Sequence, residues 1–278
     1  MTLTALAPWF GGARMNGKTI GAEIGRQAMV SIPFCGGCSE LYHIDARQIL
    51  LNDLHRHIIT LAKTIVDDAE FPAMLENLEH VLVHPDCLAE ARAVLATIED
   101  GDAPLAANHV WAAAYFTNAW LTRSNSGSES EFTQPLATRR TSSGGSSVCR
   151  WRSAVEGLPA WRKILQHRCE FVCQDWRTFA KKVRDTRGHA VYVDPPWQDA
   201  GKEYRHKFTE QDHRDLARWL WTFRQTRVVI RHSDHPLYRD LYAEWDWVSI
   251  GGRNQGNKHI SEMLIINGPS YTSGSVKE

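Results

Sequence analysis

The sequence predicts an α/β fold: a mostly parallel sheet with helices on both faces and a helical subdomain inserted into it. Short apolar or β-branched runs recur, and several end in a polar residue, as central strands buried on both faces do. Segments with helical periodicity lie between many of them, and strands alternating with helices read as an open sheet covered on both sides. The alternation breaks between about residues 67 and 168, which places the insert.

In chain order, the strand-like runs are Ala28 to Ile32, Gln48 to Leu51, Glu170 to Cys173, Ala190 to Val193, Arg227 to Ile230, Trp247 to Ile250 and Met263 to Ile266. Leu54, Ile58, Ile59, Leu61 and Ile65 form one helical stripe, and Leu216, Trp219, Leu220 and Phe223 form another. Within the insert, Cys87 to Ile98, Ala107 to Leu121 and Leu158 to Gln166 read as helices. The expected division is therefore 1–66 with 169–278 as the sheet domain, and 67–168 as the mainly helical insert. Ser124 to Ser147 holds eight serines and three glycines, too few apolar groups to pack alone, and reads as a mobile loop.

At 278 residues and 43% hydrophobic, the chain can bury a full core and still supply a second subdomain. No apolar run approaches the ~18 residues of a membrane span and no leader is recognisable, so a soluble, cytoplasmic protein without a membrane partner is expected. Six cysteines in a chain this long read as reduced thiols. Formal net charge is zero, but it is segregated: Val66 to Asp102 carries −9 and Arg123 to Arg187 carries +7. A neutral protein can thus present a basic face to phosphate, with solvated helix faces as the plain alternative.

The strongest chemical signal is the run from His189 to Trp197, a buried strand ending in Asp194, Pro195, Pro196 and Trp197. Open α/β sheets place ligands at the carboxyl ends of their strands. Two prolines make a stiff corner with outward carbonyls and no donors. A carboxylate, a fixed carbonyl at Pro195 and an indole together suit a planar group bearing an NH2. Three weaker signals accompany it. Trp9-Phe10-Gly11-Gly12-Ala13-Arg14 sets paired glycines beside an aromatic and a cation. Phe34, Cys35, Gly36 and Gly37 form a glycine-bearing turn after the first strand, where such folds receive a nucleoside cofactor, although GxGxxG is absent. Asp53 and Asp175 are acids at the ends of the second and third strands. Cys35 with Cys38, and Cys169 with Cys173, invite a zinc reading, but one pair sits in the cofactor turn and the other beside a core strand, so no metal is expected.

The order of these motifs resembles the Dam-like, alpha-group N6-adenine DNA methyltransferases. The match extends to Asn52, to Phe208 through Ala217, to Val228 through Pro236, to Lys258 through Asn267, and to Asn118 with Arg123 and Asn125, nearly the whole chain. The resemblance implies a Rossmann-like methyltransferase sheet whose last strand is antiparallel, and an insert that recognises DNA. It implies S-adenosylmethionine as cofactor, with Trp9, Gly11, Gly12 and Arg14 at its methionine end. Phe34, Cys35, Gly36 and Gly37 would line it, Asp53 would take its ribose and Asp175 its adenine amine. Asp194, Pro195, Pro196 and Trp197 would hold a flipped adenine for transfer to its N6 amine, with Asp194 also near the cofactor. The expected partner is double-stranded DNA, and the expected state a monomer or weak dimer. Arg123 and Asn125 are candidates for base or phosphate contact, and Arg139, Arg140, Arg150 and Arg152 for phosphate.

The chain departs from the family pattern at Ala13, where a lysine is usual, and at Ile32 and Cys38, where an acid and a glycine are usual. These changes bear on cofactor affinity, and an arginine at the next position, Arg14, is not equivalent to lysine. The same proline corner also serves RNA adenine and cytosine-N4 methyltransferases, and a decayed methyltransferase that only binds DNA is the non-enzymatic alternative. The recognition sequence, a cognate restriction endonuclease, a solitary role and a phage origin are left open by the sequence.

Overall fold

A computed structural model describes residues 5–97, 104–123, 126–138, 146–198, 203–253 and 259–272. The chain divides into two compact units. One comprises residues 13–35, 39–52 and 174–278; the other comprises 1–12, 36–38 and 53–173. Elements are numbered along the whole chain.

The sheet unit contains α1 (Gly17–Ile24), β1 (Gln27–Ile32), a 3₁₀ turn (Leu41–His43) and β2 (Ala46–Asn52). After the excursion into the other unit come α7 (Trp176–Ala180), β4 (His189–Val193), α8 (Glu210–Leu220), β5 (Arg227–Ser233), α9 (Pro236–Leu241), β6 (Asp246–Ser249), the short pair β7 (Gly252–Arg253) and β8 (His259–Ile260), and β9 (Glu262–Ile266). The strands of this unit lie in the order β2-β1-β4-β5-β9-β6. β2, β1, β4 and β5 are parallel, and β9 runs antiparallel to both β5 and β6. Each expected strand is present, with ends within two residues of the predicted ones except at β5, which runs three residues past the predicted Ile230, and the antiparallel last strand is as the resemblance implied. Because β1 has β2 on one side and β4 on the other, the strand order reverses there. In an open sheet that reversal opens a crevice at the carboxyl ends of the two strands.

Paired residues share a face of a sheet. Val191, Val193, Val228, Ile230 and Ile265 turn to one side and bury against Leu216, Ala217 and Leu220 of α8 and Leu237 and Tyr238 of α9. Each fully buried aliphatic side chain there contributes roughly 2 kcal/mol. α8 starts where its sequence signals it should: Thr209 and Asp212 exchange hydrogen bonds in a capping box. The opposite face carries Tyr192, Arg227, Arg231 and Glu262, and α1 packs on it, with Glu23 of α1 accepting from Arg227 at 2.9 Å.

The helical unit contains α2 (Arg56–Val66), α3 (Glu70–Glu79), α4 (Pro85–Leu95), α5 (His109–Leu121), α6 (Ser147–Gln166) and the short β3 (Cys169–Val172). α5 is buried on nearly every side, as a helix apolar all round must be, and α2, α3, α4 and α6 pack against it. Asn108 caps its start by accepting from the Trp111 amide at 2.9 Å. α6 begins eleven residues before the predicted Leu158. Ser146 caps it, and Trp151, Leu158, Trp161 and Leu165 make one buried stripe through Pro159.

Within the serine-rich segment, the described residues make specific contacts. Its described part, 126–138, is fastened by Glu131, whose carboxylate is 1% exposed. Glu131 pairs with His55 at 2.7 Å and accepts from the Tyr115 hydroxyl at 2.8 Å, while its backbone carbonyl accepts from Asn118 at 3.1 Å. Arg92 bridges Asn118 and the Gln134 carbonyl. One buried acid overrides the polar composition around it. Among the described residues no helix is long and apolar enough to cross a membrane.

Candidate active site

In the sheet unit, Asn52 at the end of β2 closes the carboxyl edge. Its side chain is buried, donates to the Pro33 carbonyl at 2.9 Å and the Gln174 carbonyl at 3.0 Å, and accepts from the Gln174 amide at 3.1 Å. One amide thus ties the turns that follow β1 and precede α7. Cys35 is buried, and Phe34 sets its ring edge-on to Phe208 at 5.5 Å. Phe208 also meets Trp176, the first residue of α7, at 6.4 Å. Asp175 caps α7 by accepting from the Arg177 amide at 2.8 Å, and the residue is exposed. The structure therefore brings Phe34 and the start of α7 onto one aromatic cluster, whereas Arg14 is exposed.

Asp194 follows β4 directly. Its side chain is 16% exposed, so it is reachable from solvent, and both oxygens are engaged. Oδ1 accepts from the Trp197 indole at 3.2 Å, and Oδ2 accepts from Arg231 at 2.8 Å. The Arg231 guanidinium also lies 5.0 Å from the centre of the Trp197 ring. Pro195 is buried and Pro196 half-buried, and Gln198 just beyond donates its amide to the Tyr238 hydroxyl at 3.1 Å, pinning the far end of the corner. Tyr238 stacks on His232 at 3.7 Å and pairs with His213 at 3.2 Å.

Three residues the sequence reading missed complete this corner: Arg231, Glu262 and Glu40. Glu262 of β9 accepts from Arg231 at 2.9 and 3.1 Å and from Asn16 at 2.8 Å. Burial works against the charge on Arg231, but Asp194 and then Glu262 outweigh it and hold the guanidinium well above its ordinary range. Burial pushes the Glu40 carboxyl up to about 7, with the negative charge of Asp194 adding to the effect. Burial drives His232 well below its usual value, and His213 down to about 4. The signal for Arg231 was present: an arginine inside the apolar run Val228 to His232 must find an opposite charge if the strand is buried.

In the helical unit, Trp9, Gly36, Gly37 and Asp53 come together. Asp53 accepts from the Gly36 amide at 2.8 Å and the His55 amide at 2.9 Å. Burial raises its carboxyl above the usual carboxylate value. Gly36 sits at φ +44°, and a Cβ there would lie 2.8 Å from Trp9 Nε1. Gly127 sits at φ +81°, where a Cβ would lie 2.5 Å from Cζ2 of the same indole. Two glycine backbones thus lie close against Trp9, which is edge-on to His55 at 5.2 Å. Gly37 accepts from the Leu6 amide at 2.8 Å, and Gly11 and Gly12 are exposed. Cys38, where the family pattern has glycine, adopts φ +56°, the left-handed conformation that favours glycine.

Of the expected DNA contacts, Arg123 and Arg152 are exposed. Arg150 is half-buried, donates to the Thr122 carbonyl at 3.0 Å beyond α5, and lies 5.2 Å from the Trp120 ring. Asn125, Arg139 and Arg140 lie outside the described residues.

Comparison with known proteins follows this geometry. No curated protein sequence matches the chain. Two solved structures of the rRNA methyltransferase aviRa from Streptomyces viridochromogenes, at 2.4 and 1.5 Å, are similar to it at TM-score 0.34 and 14% identity. They cover 91% and 92% of this chain and 82% of that one. A family model described as D12 class N6 adenine-specific DNA methyltransferase matches residues 20–255, taking in β1 through β7 and the whole corner after β4. The chain belongs to that family, the D12 class of N6 adenine-specific DNA methyltransferases.

Proposed function

We propose that this methyltransferase acts on double-stranded DNA, transferring a methyl group to the N6 amine of an adenine flipped out of the helix. The observation that carries the reading is the corner itself: Asp194, the Pro195 carbonyl and the Trp197 indole stand together at the carboxyl end of β4, beside the strand-order reversal. The methyl donor that the family implies is S-adenosylmethionine. The residues present fit it. Positive φ at Gly36 keeps that turn free of a side chain against Trp9, and Asp53 and Asp175 are acids at strand ends suited to ribose hydroxyls and an adenine amine. Trp9, Gly11, Gly12 and Arg14 take the methionine end, and Phe34, Cys35, Gly36 and Gly37 line the nucleoside.

When bound, the cofactor supplies an electrophilic methyl group on a sulfonium. The chain's own residues supply position and electrostatics. Asp194 and the Pro195 carbonyl accept the two amine hydrogens, which favours a tetrahedral nitrogen whose lone pair is directed outward. Trp197 stacks on the base, offsetting part of the few kcal/mol that flipping costs. The helical unit reads the duplex, with Arg123, Asn125, Arg139, Arg140, Arg150 and Arg152 as its contacts, in the cytoplasm of a prokaryote or an infected cell. The test is incorporation of labelled methyl into unmethylated genomic DNA, followed by product analysis. Asp194→Ala should lower transfer by at least 1,000-fold (roughly 4 kcal/mol of barrier) while the protein stays folded. Retained transfer, or a methyl found on cytosine, would overturn the proposal.

A further inference from the structure

The charged residues on the α1 face of the sheet form a continuous set. Val193 pairs with Ile230 in the last rung of β4 and β5, so Asp194 and Arg231 stand one residue further along both strands. Across the next strand Arg231 pairs with Leu264, and Glu262 lies two residues away on the same face. The register of three neighbouring strands thus delivers acid, guanidinium and acid to one place. Arg231 uses Nε and one terminal nitrogen on Glu262 Oε2, and its other terminal nitrogen on Asp194 Oδ2. Asn16 leaves its own helix uncapped and donates instead to that same Glu262 oxygen at 2.8 Å. The guanidinium, 4% exposed, is held from both sides and cannot swing away without stranding two carboxylates.

We infer that Arg231 is a positioning residue for Asp194: gripped by Glu262, which Asn16 in turn braces, it engages Oδ2 and fixes the carboxylate so that Oδ1 faces the target amine. This rests on the amine-transfer reading above. Oδ1 is the exchangeable oxygen, because its partner is the neutral Trp197 indole at 3.2 Å, the weaker of the two contacts, against the charged guanidinium at 2.8 Å on Oδ2. A base entering the corner displaces that N–H and frees the indole to stack, and the cation beside the ring steadies it from the far side. Arginine is required for its shape: a planar fork spans two acids in fixed directions, and an ammonium does not.

A merely structural salt bridge makes a different forecast. Buried charge sets can often be replaced together by uncharged side chains with little loss of stability, whereas removal of one partner strands the other. The informative variant is therefore the double change Arg231→Met with Glu262→Gln, with Arg231→Lys as the conservative companion. Single-turnover methyl transfer to unmethylated genomic DNA is measured beside cofactor affinity by calorimetry and the melting temperature. The double variant should fold, bind S-adenosylmethionine within threefold of wild type and transfer about 100-fold more slowly; Arg231→Lys should recover about a tenth of the wild-type rate. Transfer within threefold of wild type in the folded double variant overturns the inference. So does a rate that falls only in step with cofactor affinity or folded fraction, or a lysine variant no faster than the double. A wild-type protein that leaves no N6-methyladenine in any DNA overturns the functional reading itself.

Discussion

Glu40 shows how one residue can set a pH dependence for the molecule. Its carboxyl is buried beside Asp194, and its value rises from an ordinary 4.5 to about 7. The unfolded chain releases this proton near 4.5 and the folded protein keeps it until about 7, so the folded state binds more protons in between. Stability therefore falls as pH rises through that window, and the full loss is present above it. Glu40→Gln keeps the shape of the protonated acid and removes the titration. Urea unfolding should find it more stable than wild type at pH 8, by about 3 kcal/mol, with the difference shrinking toward zero near pH 4.5. Equal stabilities at pH 8 would show that Glu40 is solvated. Nothing in the order of residues marks this position, and its burial came from packing around the 3₁₀ turn.

At the scale of elements, the segment 126–138 departs furthest from its composition. Seven serines, threonines and acids among its thirteen residues suggested a chain unable to pack. Ser126 instead pairs with the backbone on both sides of Trp9, accepting from the Phe10 amide at 3.0 Å and donating to the Pro8 carbonyl at 3.2 Å. Glu131 then anchors the rest against α5 and His55. Glu131→Ala would leave His55 and Tyr115 buried without that acceptor. A loss of roughly 3 kcal/mol is expected, together with new chymotryptic cleavage after Phe132. Unaltered stability and protection would mean the glycine contact at Trp9 holds the segment alone. The strands behave in the opposite way. β4 is apolar after its first residue and β5 is apolar from Val228 to Ile230, both buried, so their positions were legible from pattern, and helix α8 was legible from the stripe of Leu216, Trp219, Leu220 and Phe223.

For the whole molecule, buried histidines govern behaviour in acid. Burial lowers His213 to about 4, and it also lowers His189 and, more strongly, His232. The unfolded chain takes up these protons near the ordinary 6.5 while the folded state resists, so stability is lost as pH falls below that value. Glu40 acts in the other direction over an overlapping window and offsets about one histidine. The urea midpoint should fall between pH 7 and pH 5, and fall more steeply in Glu40→Gln, where the offset is gone; a flat profile in both would contradict the buried, neutral state of the three rings. The sequence by itself determined the mixed α/β class, the seven strands and the helices α2, α4, α5 and α8, because periodicity is a local property. Only the tertiary structure decided that Arg231 grips Asp194, that Glu262 holds Arg231 and Asn16 holds Glu262, and that Glu131 pins the polar segment. Those partners stand far apart in the chain, and opposite charges meet wherever strand register and burial bring them within reach of one another.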